Sequence, residues 1–321
     1  MMIQEKFLQM LAEHLSKKLH KVITTKDLQF NLDSRLIVPS LECVYSGPKS
    51  FVFSDGNSFV IKVYFSGFPR DLDSIAKNYL EACRENPDLF PEIAFVGRGH
   101  LATKNMELLL LRQQYVSGSF PDYDFKPAQW DQILGKWDRL TTRHQQSMPD
   151  DLRLAIACMN EDGIKIYHKI ALEYHDGFAA YQAPFGWRRL QQHKEFDDFA
   201  KLELPEPKVS PGSKIIGDIS PKHVLVDGKF LAFDLEKYGL GDPAKDLSTI
   251  IRFYLYRDDI ENAERVMGYL SRLYQDSQLL YRIYLAALGS GSRLLKNIQN
   301  QPALDRYRKV LAFFPRVRQF F

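Results

Sequence analysis

The chain has 321 residues, 45% of them apolar and 26% charged, and a formal net charge of +3. That length suffices for two domains with a core each, and the composition excludes wholesale disorder. A charge so near neutral gives no electrostatic case for binding nucleic acid or a membrane surface.

Cys43, Cys83 and Cys158 are scattered, with no CxxC or zinc-ligand spacing, which argues against a disulfide framework and for a reducing compartment. Gln4, Glu5, Glu13, Lys17 and Lys18 interrupt any signal-peptide core, and the apolar run at 106–111 is too short to span a bilayer. The expected location is the cytoplasm.

Taken in order, Ile3, Phe7, Met10, Leu11 and Leu15 predict an amphipathic helix over 3–20. From about 28 to 66 the pattern is β: "RLIVPSLECVYS", "KSFVF" and "SFVIKVYF", punctuated by a Ser-Gly-Pro turn and by Asp55-Gly56-Asn57. A helix follows over 71–86 with Asp71 or Asp73 as N-cap, then strands at "EIAFVG" and "MELLLLRQQYV". After the loop "VSGSFPDYDFKP", residues 128–202 read as helical, with breaks at Pro149, Gly163, Pro184 and Gly186. "ELPEPKVSPGSK" (203–214) reads as a flexible connector, and 243–321 returns to helix rich in Tyr, Leu and Arg. There is no internal repeat and no low-complexity tract.

Between these helical regions lies "KIIGDISPKHVLVDGKFLAFDLEKYGLGDPAKDL" (214–247). Asp218 follows Gly217 at the end of an apolar strand, in a turn stiffened by Pro221. His223 is five residues on, and Asp234 eleven further, after "FLAF". A hairpin at Asp227-Gly228 would fold two short strands together and bring 218, 223 and 234 to one edge. Two carboxylates there suit a general base beside a Mg²⁺ ligand, because Mg²⁺ takes oxygen ligands and completes its shell with phosphates and water. In the first half, Lys62 stands inside the apolar run "SFVIKVYF", where an unpaired ammonium is costly. A phosphate pair is its natural partner.

"IGDISPKH", "AFDLE" and "GDPAKDL" together resemble small-molecule kinases of the aminoglycoside phosphotransferase and choline kinase type. Their pattern reads His-Gly-Asp-x-x-x-x-Asn, then an Asp at a strand end, then Gly-Asp-Pro-x-x-Asp-Leu. The resemblance covers roughly 40–250. It implies an α+β, two-lobed protein-kinase-like fold. A small antiparallel-sheet, nucleotide-binding lobe would span 1–115, and a larger, mostly helical, catalytic and acceptor-binding lobe 116–321. Nucleotide would lie in the cleft between the lobes.

The implied activity moves the γ-phosphate of ATP, with GTP also open, to a hydroxyl of a small molecule, using Mg²⁺ or Mn²⁺. Neither nucleic acid nor a membrane is an expected partner. Carried over by position, Lys62 would bind the α/β-phosphates, and Ser50 with the backbone near Gly47 would contact phosphate. The strand end near Gln114, Tyr115 and Val116 would supply the adenine-binding backbone. Asp218 would orient or deprotonate the acceptor hydroxyl. Asp234 would be the principal metal ligand, supported by Glu236, and Asp246 would brace the catalytic loop. Asp242-Pro243 reads as a helix start. The partner of Lys62 in the 71–86 helix is left between Asp73 and Glu81.

Three departures qualify the resemblance. Ile216 stands where the family has His, "SGPKS" (46–50) is glycine-poor, and His223 replaces the metal-binding Asn. An imidazole is a softer ligand than an amide oxygen. His223 then has three readings: a ligand for a metal such as Mn²⁺, a cationic phosphate contact, or the mark of a lost metal site. The rival to a working enzyme is a nucleotide-binding pseudokinase acting as scaffold or regulator.

Other features read as structural. His168 and His175, seven apart, fit a solvated or interlobe face. Arg188 and Arg189 after Trp187 fit a helix surface. "RFYLYRD" and "LLYRIYLA" fit a helical core, and the tail "RYRKVLAFFPRVRQFF" should pack its aromatics back, with Pro315 ending a helix.

Overall fold

A computed structural model describes residues 2–30, 41–47, 50–66, 71–157, 165–166, 174, 176–289 and 298–321. Cys158, Gly163, His168 and His175 lie outside the described residues. So do 35–40 of the first β-like run and Pro48-Lys49 of "SGPKS". The chain forms two compact units. One comprises Met1–Gly118 with Gly228–Glu236, the other Ser119–Asp227 with Lys237–Phe321.

The first unit opens with α1 (Met2–Leu19) and holds six strands: β1 (Leu28–Phe30), β2 (Glu42–Ser46), β3 (Ser50–Ser54), β4 (Phe59–Phe65), β5 (Ile93–Leu101) and β6 (Met106–Gln114). They form one antiparallel sheet in the order β1-β5-β6-β4-β3-β2. The alternation of β4 explains its two faces. Phe59, Ile61, Val63 and Phe65 join Phe7, Leu11 and Leu15 of α1 in one core. Each such side chain contributes about 1.5–3 kcal/mol on burial, so packing rather than helix propensity holds α1.

Lys62 and Tyr64 point to the opposite face, which receives α2 (Leu72–Glu85). Asp71 is the N-cap of α2, its side chain accepting from the Asp73 N–H at 3.1 Å.

The second unit is helical apart from the two-stranded pair β7 (Ser213–Ile215) and β8 (Gly239–Gly241). Among the described residues its α-helices are α3 (Pro127–Arg143), α4 (Asp150–Ala157), α5 (Ala179–Leu190), α6 (Pro243–Leu255), α7 (Ile260–Leu273), α8 (Ser277–Leu288) and α9 (Gln301–Val317). Both α5 and α6 pack against α8. "RFYLYRD" and "LLYRIYLA" supply the buried Tyr254, Leu255, Ile283, Tyr284 and Leu285. The C-terminal aromatics fold back as expected, Tyr307 onto Trp187 and Phe196, and Phe314 and Phe321 onto Tyr284.

Four local expectations are corrected. Pro184 and Gly186 lie inside α5 rather than breaking it, because the helix is buried along most of its length, with Tyr181 and Trp187 in the core. Pro315 lies inside α9, which runs on to Val317. The strands expected on either side of Asp227-Gly228 do not form a regular ladder. Asp227 does take the left-handed conformation (φ 60°), but β7 pairs with β8 instead. The 203–214 segment is irregular yet tethered: the Pro205 carbonyl accepts from the Tyr281 hydroxyl at 2.7 Å, and the Ser210 N–H donates to the Tyr181 hydroxyl at 3.2 Å.

A buried ion pair joins α6 to α8. The Arg282 Nε donates to Asp242 Oδ2 at 2.9 Å, with side-chain exposures of 6% and 1%. Asp242 also caps α6 through the Ala244 N–H at 3.0 Å. Removing one partner strands a buried charge, so Arg282→Met costs about 3–5 kcal/mol in urea unfolding. Arg188→Met, which breaks the exposed pair with Glu206, costs less than about 1 kcal/mol.

Candidate active site

In the first unit the site is built around the ammonium of Lys62, which is 5% exposed. Its Nζ donates to the Phe233 carbonyl at 2.5 Å and to the Tyr79 hydroxyl at 2.8 Å. The Tyr79 hydroxyl donates in turn to Asp234 Oδ1 at 3.0 Å and lies 2.9 Å from the Tyr64 hydroxyl. Burial pushes the Lys62 ammonium below its ordinary pKa, and the charges of Asp234 and Glu236 oppose that shift. Burial also raises both tyrosine hydroxyls well above the ordinary phenol value, reinforced by Asp234. The helix partner of Lys62 is therefore a neutral tyrosine rather than Asp73 or Glu81. Asp73 instead pairs with Arg98.

Tyr79 was missed because a tyrosine on the apolar stripe of an amphipathic helix reads as core. The available signal was its position opposite a buried lysine. Asn78, one residue earlier, donates to the Glu236 carbonyl at 2.7 Å and so ties down the segment that carries Asp234.

The other first-unit positions are distributed along the sheet. The Gly47 N–H donates to the Ser50 carbonyl at 3.0 Å, while the Gly47 carbonyl accepts from Lys18 Nζ at 2.8 Å. Ser50 begins β3 opposite Tyr64. Gln114 ends β6, and its N–H donates to the Glu92 carbonyl at 2.9 Å. The N–H of Tyr115 donates to the Ser58 carbonyl at 3.0 Å, and Val116 follows outside the sheet.

In the second unit a buried carboxylate shapes the turn after β7. Asp246 accepts from the Ile216 N–H at 2.9 Å, the Gly217 N–H at 2.6 Å and the Trp137 Nε1–H at 3.0 Å. Burial pushes its pKa up to about 6 against the pull of those donors. Ile216 is fully buried where the family pattern has His, and only its backbone makes the polar contact. Gly217 has φ +80°, and a Cβ there would lie 2.5 Å from the Lys237 Cβ, so no other residue fits.

Asp218 leaves this turn half-buried, with Lys237 Nζ 3.0 Å from its Oδ2. His223 Nδ1 lies 3.3 Å from the Asp218 carbonyl, 3.2 Å from the Ser220 hydroxyl and 3.6 Å from Asp218 Oδ1. Burial would raise the Asp218 carboxyl. The His223 hydrogen bond and the Lys237 charge outweigh it and hold the group far below the usual carboxylate range. Lys237 escaped notice because a lysine in a loop carries no periodic signal.

The structure thus gathers Lys62, Asp234 and Glu236 in the first unit, and Asp218 and His223 in the second. Among the described residues no three His, Cys, Asp or Glu side chains form a ready-made metal cluster. Mg²⁺ does not require one, since it commonly binds through one or two carboxylates with phosphates and water. Asp234, a hard oxygen donor linked to Lys62 through one hydroxyl, fits that need. His223 turns Nδ1 toward the Asp218 loop.

Removing the Tyr79 hydroxyl takes one hydrogen bond from the buried Lys62 and Tyr64 and one from the partly buried Asp234. Tyr79→Phe costs about 3 kcal/mol in chemical denaturation. A carboxyl held below its unfolded pKa of about 3.9 contributes stability that is complete above that value and is lost as pH falls through the folded value. Asp218→Asn therefore lowers the melting temperature at pH 7, and the gap to wild type shrinks below about pH 4.

No family model matches the chain, and neither does any curated protein. Among solved structures it is similar to a thermostable mutant of aminoglycoside phosphotransferase APH(4)-Ia in ternary complex with AMP-PNP and hygromycin B, at 14% identity and a TM-score of 0.48, covering 95% of this chain and 98% of that one. The GDP and kanamycin complex of APH(2″)-IIIa matches at 14% identity and a TM-score of 0.45, covering 89% and 95%. The macrolide 2′-phosphotransferase MphH from Brachybacterium faecium matches at 14% and 0.45, covering 94% and 98%.

Proposed function

We propose that the protein transfers the γ-phosphoryl group of ATP or GTP to a hydroxyl of a small molecule. The observation that carries this reading is the chain from Lys62 through Tyr79 to Asp234, a buried cation and a carboxylate joined by one hydroxyl. An ammonium buried that deeply gains most from an anionic oxygen ligand, and the adjacent carboxylate suits the metal that accompanies a nucleoside triphosphate.

In this reading Lys62 binds the α/β-phosphates and Asp234 holds the metal, with Glu236 in support. Gly47 and Ser50 lie toward the phosphates, and the Gln114–Val116 backbone toward the base. Bound Mg²⁺ would neutralise charge on the phosphate oxygens. Asp218 accepts a hydrogen bond from the acceptor hydroxyl and orients it. The acceptor oxygen forms a bond to the γ-phosphorus as the bond to the bridging oxygen of the departing nucleoside diphosphate breaks. The hydroxyl proton passes to Asp218. A carboxylate with so low a proton affinity is suited to orienting the nucleophile and receiving its proton late, which a loose phosphoryl transition state permits. Lys237 and His223 hold Asp218 in place.

One observation favours the second reading, a nucleotide-binding pseudokinase: His223, at the position of the metal-binding Asn, turns Nδ1 to the Asp218 loop. Thermal unfolding with ATP or GTP separates the two, with Mg²⁺, Mn²⁺ or chelator, on wild type and Asp234→Ala. A nucleotide at a hundred times its dissociation constant adds about 2.7 kcal/mol. The expected result is a metal-dependent shift that Asp234→Ala abolishes. A shift indifferent to metal and to Asp234 leaves the scaffold reading, and no shift sinks both.

A further inference from the structure

Near the Asp218–Lys237 pair the second unit buries another lysine, which the reaction above leaves unused. Lys245 is 6% exposed and sits in the first turn of α6. Among the described residues, no hydrogen bond or ion pair holds its ammonium. That arrangement is unfavourable on two counts: burial strips the ammonium of water, and the positive end of α6 repels it.

Lys237 and Arg252 are close enough to act on Lys245 with like charge, Asp218 and Asp176 with opposite charge. Asp218 is already engaged by Lys237 at 3.0 Å. Arg252, seven residues along the same helix and so on the same face, buries its Nε without a partner. Asp246, the next residue on α6, accepts from the Ile216 and Gly217 N–H groups just before Asp218, so the first turn of α6 lies beside the Asp218 turn. Burial first, then the neighbouring Arg252, pushes the Lys245 pKa down to about 7. A group so placed gains from an added anion and is opposed by an added cation.

We propose that Lys245, with Lys237 and Arg252, receives an anionic group of the acceptor, so that the hydroxyl compound aligned by Asp218 carries a carboxylate or phosphate of its own. This rests on the phosphotransferase reading for the role of Asp218. It disfavours polycationic acceptors, because an ammonium placed there would be repelled by Lys237 and Arg252 and would find no acceptor in Lys245 when that is charged.

The test uses the full chain with chelator and without nucleotide, so that the γ-phosphate cannot be the anion that binds. Glycerate, glycerol 1-phosphate, glycerol and ethanolamine are titrated by calorimetry and by thermal shift. The expected result is saturable binding of glycerate or glycerol 1-phosphate, weakened at least about tenfold in Lys245→Met, and none of glycerol or ethanolamine. The ratio of the two anions tells carboxylate from phosphate. Absence of saturable anion binding, binding unchanged in Lys245→Met, or preference for ethanolamine overturns the proposal. Should Lys245→Met fail to fold, Lys237→Gln and Arg252→Gln carry the same comparison. A chain that binds nucleotide in an Asp234-dependent way but no anion loses this inference alone. A chain that binds the anion but no nucleotide keeps the cationic site and loses the phosphotransferase reading.

Discussion

An ammonium buried in the middle of an apolar strand must be answered within hydrogen-bonding distance, and the first unit is arranged around that demand. Lys62 is answered by a carbonyl and a hydroxyl rather than by a carboxylate in direct contact. The carbonyl is that of Phe233, more than a hundred residues later, so the segment Gly228–Glu236 returns to the unit that the chain left at Gly118. Further bonds hold the return: the Leu231 N–H donates to the Leu89 carbonyl at 2.7 Å, and Asn78 to the Glu236 carbonyl. Asp234 is thereby delivered to Tyr79. One buried cation thus fixes where a distant carboxylate sits.

The second unit solves the complementary problem. Asp246 is a fully buried carboxylate, and two backbone N–H groups with one indole N–H answer it. Because those N–H groups belong to Ile216 and Gly217, satisfying Asp246 also sets the backbone just before Asp218. The left-handed conformation of Gly217 follows, and with it the close approach of Lys237. Asp246 and Asp218 are coupled through two peptide units. The backbone contact needs no imidazole at 216, which is why an isoleucine serves there.

Elements with strong periodicity or a named cap were legible in the sequence: α1, α2 with its Asp71 cap, β4 through β6, and the Asp242-Pro243 start of α6. Lys62 stood out because a charge in an apolar run contradicts its surroundings. Tyr79 did not, since a tyrosine on the buried stripe contradicts nothing. An acid in α2 is required only where a cation needs a formal countercharge in contact, whereas here a phenol relays one. Expectations resting on isolated breakers failed at Pro184 and Pro315, where burial outweighs a lost hydrogen bond. The short strands around Asp227-Gly228 failed because apolar alternation over four residues does not ensure a paired edge. Lys237 and Lys245 carried no local pattern, and only tertiary contact gives them meaning.

The charges around Asp218 bear on what kind of acid it is. A general base raised toward neutrality would need burial without cations, yet Lys237 and His223 stabilise its ionised form. In the proposed transfer, such a carboxylate would bind the acceptor's hydroxyl hydrogen strongly and take the proton only once the oxygen had become acidic, with bond formation to phosphorus well advanced. Lys237, which weakens it as a base, also lies near Lys245, and on the same face of that helix the Arg252 Nε is buried without a partner. In the proposed reading, weak basicity and a preference for anionic company would both follow from that arrangement. An acceptor bearing its own acid group would complete the electrostatics of the second unit while presenting its hydroxyl to Asp218.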